Sequence, residues 1–276
     1  MPFKDLLVHV GTDRANDDRL DYALRFAQAH EAHLTTLYSP AGRAIPTFVS
    51  AHLPPAVIEE SARMAEEIAS RLEKQVRDAG DRAGIALEWR LVGDAMPEAA
   101  MIHARHADLT IVGQGADEED DRPNLSRMVV ESLLLGSGRP VLVVPSYGRF
   151  PTVGERVLVA WNATREAARA LNDALPILKR AKAVTVLSVD PPDAARRIPG
   201  ADVALHLARH GVKVEATSAY AKDIDVGDVL LSHAADLGAD MIVAGGYGHT
   251  RAREMVFGGV TRHLLAHMTV PVLMSH

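Results

Sequence analysis

Leu6–Ser39 reads LLVHVGTDRANDDRLDYALRFAQAHEAHLTTLYS, and Val157–Val189 reads VLVAWNATREAARALNDALPILKRAKAVTVLSV. Each is an apolar strand, a polar turn, an amphipathic helix and a second β-rich strand, so the chain repeats itself. Two later matches extend the repeat: Asp108–Gly115 (DLTIVGQG) with Asp240–Gly248 (DMIVAGGYG), and Arg139–Pro145 (RPVLVVP) with Val270–His276 (VPVLMSH). Leu7 aligns with Leu158, an offset of 151, whereas Asp108 aligns with Asp240, an offset of 132. The first copy therefore carries 19 additional residues, placed between Pro40 and Leu87, where a helical pattern runs from Ala56 to Ala83. The Pro- and Gly-rich stretch Pro145–Glu155 (PSYGRFPTVGE) reads as the linker, giving domains at 1–146 and 155–276.

Within each copy the strands are continuous apolar runs rather than alternating ones, and helical patterns separate them. That is the signature of parallel strands covered on both faces. Copy two is expected to form strands at 156–161, 183–189, 212–218, 240–245 and 270–274, with helices near 165–179, 199–210, 226–237 and 254–267. Asp225 should cap the third helix, with Asp228 three residues on, and Gly211 and Gly238 should serve as left-handed helix exits. The fold class is α/β: two doubly wound, five-stranded parallel-sheet domains in tandem, each Rossmann-like.

Composition narrows the function. The 276 residues are 47% hydrophobic and 24% charged, which is globular rather than disordered composition. The cysteine count is zero, which removes disulfides, thiolate metal sites and cysteine nucleophiles together. A net charge of −6 supplies no general attraction to nucleic acid or anionic lipid. No apolar run reaches the roughly 18 residues of a membrane span. Met1–Val10, with Lys4 and Asp5, lacks signal-peptide architecture, so a cytoplasmic location is expected.

In open parallel sheets, ligands bind beyond the carboxyl ends of the strands, at the topological switch point. There, after strand four of copy two, come Gly245-Gly246-Tyr247-Gly248-His249 and then, with nine residues between Gly248 and Gly258, Gly258-Gly259-Val260-Thr261. Glycines let main-chain N–H groups approach a phosphate without Cβ obstruction, helix N-termini add positive potential, and Thr261 adds a hydroxyl. The bland alternative is a set of tight turns in a common fold.

The pattern Gly-x2-Gly-x9-Gly after strand four resembles the ATP-binding universal stress protein family, and the whole chain is similar to a tandem member. That resemblance implies an adenine nucleotide alpha hydrolase-like fold and an ATP-binding, stress-response or regulatory role with at most slow turnover. Gly245, Gly248 and Gly258 carry it; Gly259 stands where the family commonly has Ser or Thr. Asn162 replaces the family's strand-one Asp, keeping hydrogen bonding but no charge. By the same resemblance, Ala160, Trp161, Asn162, Val189 and Ala244 would form the base and ribose side, and Gly245, Gly248, His249, Gly258, Gly259, Val260 and Thr261 the phosphate side. Mg²⁺ would be shared by the nucleotide and water. ADP or AMP are alternative ligands. Family members also dimerise through their last strands, so 140–144 and 270–274 are expected to pair antiparallel, making the chain an intramolecular pseudo-dimer that a second copy or another protein could join.

Copy one serves as an internal control. Its second glycine is Ala116, Arg127 and Met128 replace Gly258 and Gly259, Gly11 replaces Asn162, and five successive carboxylates occupy Asp117–Asp121. Such a run would oppose a triphosphate, whereas copy two has His249, Arg251 and Arg253 in that stretch. Copy one is therefore expected not to bind nucleotide. Other chemistries find little support. No Gly-Lys pair exists for a P-loop, and no Gly-x-Ser-x-Gly elbow is present. His206 with His210 and His263 with His267 have i, i+4 spacing, but neither pair has an evident third metal ligand. His9 reads as a buried strand residue, and Tyr247 as an exposed cover for phosphates. An interaction scaffold that has lost nucleotide binding, and a slow ATPase, remain alternatives.

Overall fold

The computed structural model describes residues 2–40, 54–93, 96–114, 125–190, 200–247 and 259–276. The first half runs β1 (Asp5–His9), α1 (Asn16–His30), β2 (His33–Tyr38), α2 (Pro55–Ala83), β3 (Leu87–Leu91), α3 (Met96–Ala104), β4 (Leu109–Gly113), α4 (Leu125–Gly136) and β5 (Val141–Val144). The second half repeats it: β6 (Arg156–Ala160), α5 (Arg165–Asp173), α6 (Leu175–Leu178), β7 (Ala183–Val189), α7 (Ala201–Arg209), β8 (Val214–Ala219), α8 (Val226–Asp236), β9 (Met241–Gly245), α9 (Gly259–His267) and β10 (Val272–Ser275). The additional residues of the first copy lengthen one helix: α2 has 29 residues where α7 has 9.

All ten strands join one sheet in the order β3-β2-β1-β4-β5-β10-β9-β6-β7-β8. Pairing is parallel within each half. The halves meet where β10 runs antiparallel to β5, with Val272 opposite Val143 and Met274 opposite Val141. This is the expected pseudo-dimer seam, and the two last strands thereby lose the exposed edge that each would present alone.

The inner strands are continuously apolar because both of their faces are buried, whereas the edge strands β3 (LEWRL) and β8 (VEATSA) carry polar residues and are only partly buried, against the uniform pattern expected. Leu6, Val8 and Val10 enter one core cluster, while Leu7 enters the other, as the two-residue strand period requires. The first cluster lies under α1, α2 and α5, the second under α3, α4, α8 and α9, and each contains residues of both halves. The core is therefore shared across the seam.

The helix expected over 165–179 is broken at Ala174 into α5 and α6, because Pro176 lacks an N–H and its ring clashes with the preceding turn. The start expected at 254 for the last helix lies outside the described residues, which enter it at Gly259. Asp225 does cap α8, accepting the Gly227 N–H at 2.7 Å, but Asp228 bonds His263 instead of the cap. Gly211 and Gly238 leave their helices at φ 82° and 58°, the left-handed exits glycine favours.

Two histidines make the fold acid-sensitive. His30 is buried with its ring stacked on Phe26 at 4.5 Å, and burial followed by the Arg180 charge lowers its pKa to about 4. His9, at the end of β1, is lowered to about 3 by burial and then by Arg19. Both folded values lie below the unfolded value of 6.5, so the unfolded chain takes up protons that the folded chain refuses. Stability is then complete above pH 6.5 and falls as the pH drops toward 4. Each group contributes up to about 1.4 kcal/mol per pH unit. Urea unfolding should therefore show a loss of about 2 kcal/mol between pH 6 and pH 5, and His30→Phe should remove roughly half of that slope.

Candidate functional site

Beyond the carboxyl ends of β6, β7 and β9 the sheet opens into a cleft. Ala160, Trp161 and Asn162 line it from the end of β6, Leu187 and Val189 from β7, and Ala244 and Gly245 from β9; Val226 and Leu230 line it from α8, and Gly259, Val260 and Thr261 from the start of α9. Nine of the twelve residues singled out in the sequence thus surround one space. The other three, Gly248, His249 and Gly258, lie outside the described residues, as do Ala116 and the acidic run Asp117–Asp121 of copy one.

The sheet edge explains much of this convergence. Parallel strands end side by side, so Ala160 pairs with both Ala244 and Leu187. Their small or branched side chains form a shallow apolar floor. Leu187, Val226 and Leu230 complete it and were not among the expected residues. Val226 and Leu230 are four positions apart on α8 and so share one helix face, a spacing that follows directly from the Asp225 cap. Trp161 is half-buried: it packs on the first core cluster and also lines the cleft.

The polar groups are few. Asn162 Oδ1 accepts from Thr164 N–H at 3.3 Å and from the Thr164 hydroxyl at 2.9 Å. Its carbonyl oxygen is thus turned into the β6–α5 connection, where Ala163 sits at φ 59°. The Thr164 hydroxyl in turn accepts the Ala167 N–H and caps α5. Thr261 is buried and its oxygen accepts the Tyr247 N–H at 3.2 Å, leaving its own hydroxyl proton free to donate. Gly259 is the first described residue of α9 and is exposed. The described lining carries no ionisable side chain.

Gly245 has a second duty. A Cβ there would lie 2.5 Å from the Ala167 main-chain nitrogen and 2.7 Å from the Glu166 carbonyl carbon. This glycine lets the start of α5 close onto the end of β9. Gly259, by contrast, has nothing within 4 Å of an added Cβ.

Tyr247 overturns its expected exposure. It is only 3% exposed and joins the second core cluster, with φ at 56°. Burial, reinforced by the Glu131 carboxylate, pushes its hydroxyl pKa up. The left-handed turn directs the ring inward toward α4 of the first half instead of over the cleft. A Cβ on neighbouring Gly246 would meet Leu134 of the same helix at 3.6 Å. The repeat-related Gln114 crosses the seam in return, donating to the Leu265 and Ala266 carbonyls of α9 at 2.9 and 3.0 Å.

The equivalent region of the first half is built differently. Val129 and Val130, aligned with Val260 and Thr261, are buried, as is Met96 at the head of α3. Gly11 N–H donates to Asn16 Oδ1 at 2.9 Å. Arg19, 2% exposed, bonds the His9 carbonyl at 2.8 Å and grips Asp13 with both terminal nitrogens, at 3.1 and 2.8 Å. The end of β1 is thus occupied by an internal polar network.

Each histidine pair packs ring against ring, and the buried His206 Nε2 has no hydrogen-bond partner among the described residues. The His206 and His210 rings lie 4.7 Å apart, and the His263 and His267 rings 4.4 Å apart. His263 Nε2 meets Asp228 Oδ1 at 2.8 Å, tying α9 to α8 behind the cleft. Among the described residues, no three potential metal ligands cluster.

Residues 154–276 match the model of the universal stress protein family. Among curated proteins none matches the sequence. A universal stress protein from Archaeoglobus fulgidus DSM 4304 superposes with a TM-score of 0.73 at 18% identity, covering 98% of this chain and 97% of its own. A functionally unknown protein from Pseudomonas aeruginosa PAO1 gives a TM-score of 0.61 at 18% identity, covering 99% and 92%. At these identities the likeness is one of fold, and it extends over both halves.

Proposed function

We propose that this chain, whose residues 154–276 match the model of the universal stress protein family, is an adenine nucleotide-binding regulatory protein, with ATP held in the cleft of its C-terminal unit, residues 155–276. The observation that carries this reading is the meeting, around one cleft, of the apolar ends of β6, β7 and β9 with Gly259, Val260 and Thr261, the first described turn of α9.

The cleft is about 140 Å³, below the roughly 300–1,000 Å³ of pockets that enclose drug-sized ligands. It therefore takes the flat base between Trp161, Val189 and Leu230 and leaves the rest of the ligand outside. The phosphates then lie toward the first N–H groups of α9, with the Thr261 hydroxyl beside them and the helix dipole favouring their charge. Mg²⁺, if carried, is held by phosphate oxygens and water, because no carboxylate lines the described cleft. The absence of an ionisable side chain from that lining also favours binding over turnover. Residues 1–146 form the unit without nucleotide, since buried Val129 and Val130 and the Arg19 network occupy its corresponding region.

One observation favours the scaffold reading instead: Asn162, at the family's ribose-side position, has its oxygen committed to Thr164. A titration with Mg-ATP separates the two. Binding at Trp161 should quench or shift tryptophan emission and raise the melting temperature, by about 2.7 kcal/mol of stabilisation at a ligand concentration 100-fold above Kd. No change in either signal at millimolar Mg-ATP would leave only the scaffold.

A further inference from the structure

A second and larger cavity, of about 640 Å³, opens between the two halves, where the end of α1 faces α5 and α6. We propose that it binds a compact polyanion carrying three or more negative charges, of the oligophosphate or tricarboxylate class. Four cationic side chains line it, Arg139, Arg169, Lys179 and Arg180, against two carboxylates, Asp108 and Asp173.

Both carboxylates are already committed. Asp108 Oδ2 accepts the main-chain N–H groups of Lys4 and Asp5 at 2.7 and 3.1 Å. Asp173 Oδ2 accepts the Ser275 hydroxyl at 2.9 Å and faces Arg169 at 3.6 Å. Arg169 itself donates to the Gly138 carbonyl at 2.6 Å. Arg139, Lys179 and Arg180 form no ion pair with any described residue, and all three are exposed to the cavity. Three uncompensated cations around one concavity focus positive potential there, and two of them are guanidinium forks suited to oxyanions.

The concave shape and the volume, within the range of small-ligand pockets, select a small anion. The chain's net charge of −6 opposes a macromolecular one. The lining comes from both halves, so an occupant would bridge the seam. His30 forms part of the wall, and the Arg180 charge helps to keep it neutral. An anion between them would offset that charge, which makes the His30 ring a local reporter.

This site is independent of the strand-end cleft and can be tested apart from it. Tripolyphosphate and citrate are titrated calorimetrically into the full chain, into the triple variant Arg139→Gln/Lys179→Gln/Arg180→Gln, and into Gly259→Asp, which places a carboxylate in the cleft. Binding that persists in Gly259→Asp, weakens at least about tenfold in the triple variant and raises the His30 pKa in histidine NMR supports the proposal. The stronger of the two ligands identifies the anion class. No binding at millimolar concentration of either, affinity that the triple substitution leaves within about threefold, or an unmoved His30 overturns it.

Discussion

Replacing Arg19 by alanine is expected to destabilise the protein by about 3 kcal/mol, although the residue lies far from the proposed nucleotide cleft. Arg19 is 2% exposed and its guanidinium satisfies the His9 carbonyl, Asn16 Oδ1 and both oxygens of Asp13. Truncation orphans those acceptors and opens a cavity beneath α1. Asp13 changes as well: burial alone would raise its pKa, but hydrogen bonds and charge from Arg19 hold it below the usual carboxylate range. Without Arg19 that depression is lost, so the variant should be least impaired in acid, where wild type has begun to lose the same contribution. Arg19→Lys keeps the charge but not the fork and should recover only part of the loss.

The same side chain explains Gly113. A Cβ at Gly113 would collide with Arg19 Nη1, part of a guanidinium that four hydrogen bonds hold in place. Gly113→Ala should therefore be costly in the wild-type background and nearly neutral beside Arg19→Ala. A double-mutant cycle by urea unfolding should show a coupling of about 1–2 kcal/mol. Full additivity would mean that the glycine serves some other purpose. Nucleotide affinity should be unchanged throughout.

These dependences mark where the sequence stops being readable. The repeat and the parallel α/β class are legible because they rest on periodicity: Leu6 and Leu7 point to opposite faces, and the offsets of 151 and 132 locate the long α2. The seam is legible only through the resemblance, whose members pair their last strands. The glycine cluster is legible because it stands at the one sheet edge where parallel topology leaves a crevice. What escapes are contacts across the seam. Tyr247 sits in a polar-looking glycine turn, and only its positive φ and the closeness of Glu131 and Leu134 turn it inward. Gln114 replaces the repeat's Gly246, yet nothing local reveals that it reaches the Leu265 and Ala266 carbonyls, about 150 positions away. Leu230 escaped for a milder reason: an apolar helix residue reads as core, and it is core, with one face left to the cleft.

The two described glycines of the cleft should separate stability from binding. Gly245→Val forces a side chain to within 2.5 Å of the Ala167 nitrogen, and backbone on both sides leaves no flexible group to yield. α5 must move away from β9, at a cost of about 3 kcal/mol, or on the order of 6 °C in melting temperature. Affinity should fall with it, since the sheet edge carrying Ala160 and Ala244 shifts too. Gly259→Asp meets nothing within 4 Å and places an acid in the first described turn of α9, toward the N-terminal end where the helix dipole stabilises it by up to about 1 kcal/mol. That variant should melt no lower than wild type, yet bind Mg-ATP at least about tenfold more weakly, because its carboxylate occupies the positive end meant for phosphate. A Gly259→Asp protein that keeps its affinity would move the phosphates away from the start of α9. A Gly245→Val protein as stable as wild type would mean that α5 and β9 are less tightly apposed than their main-chain distance requires.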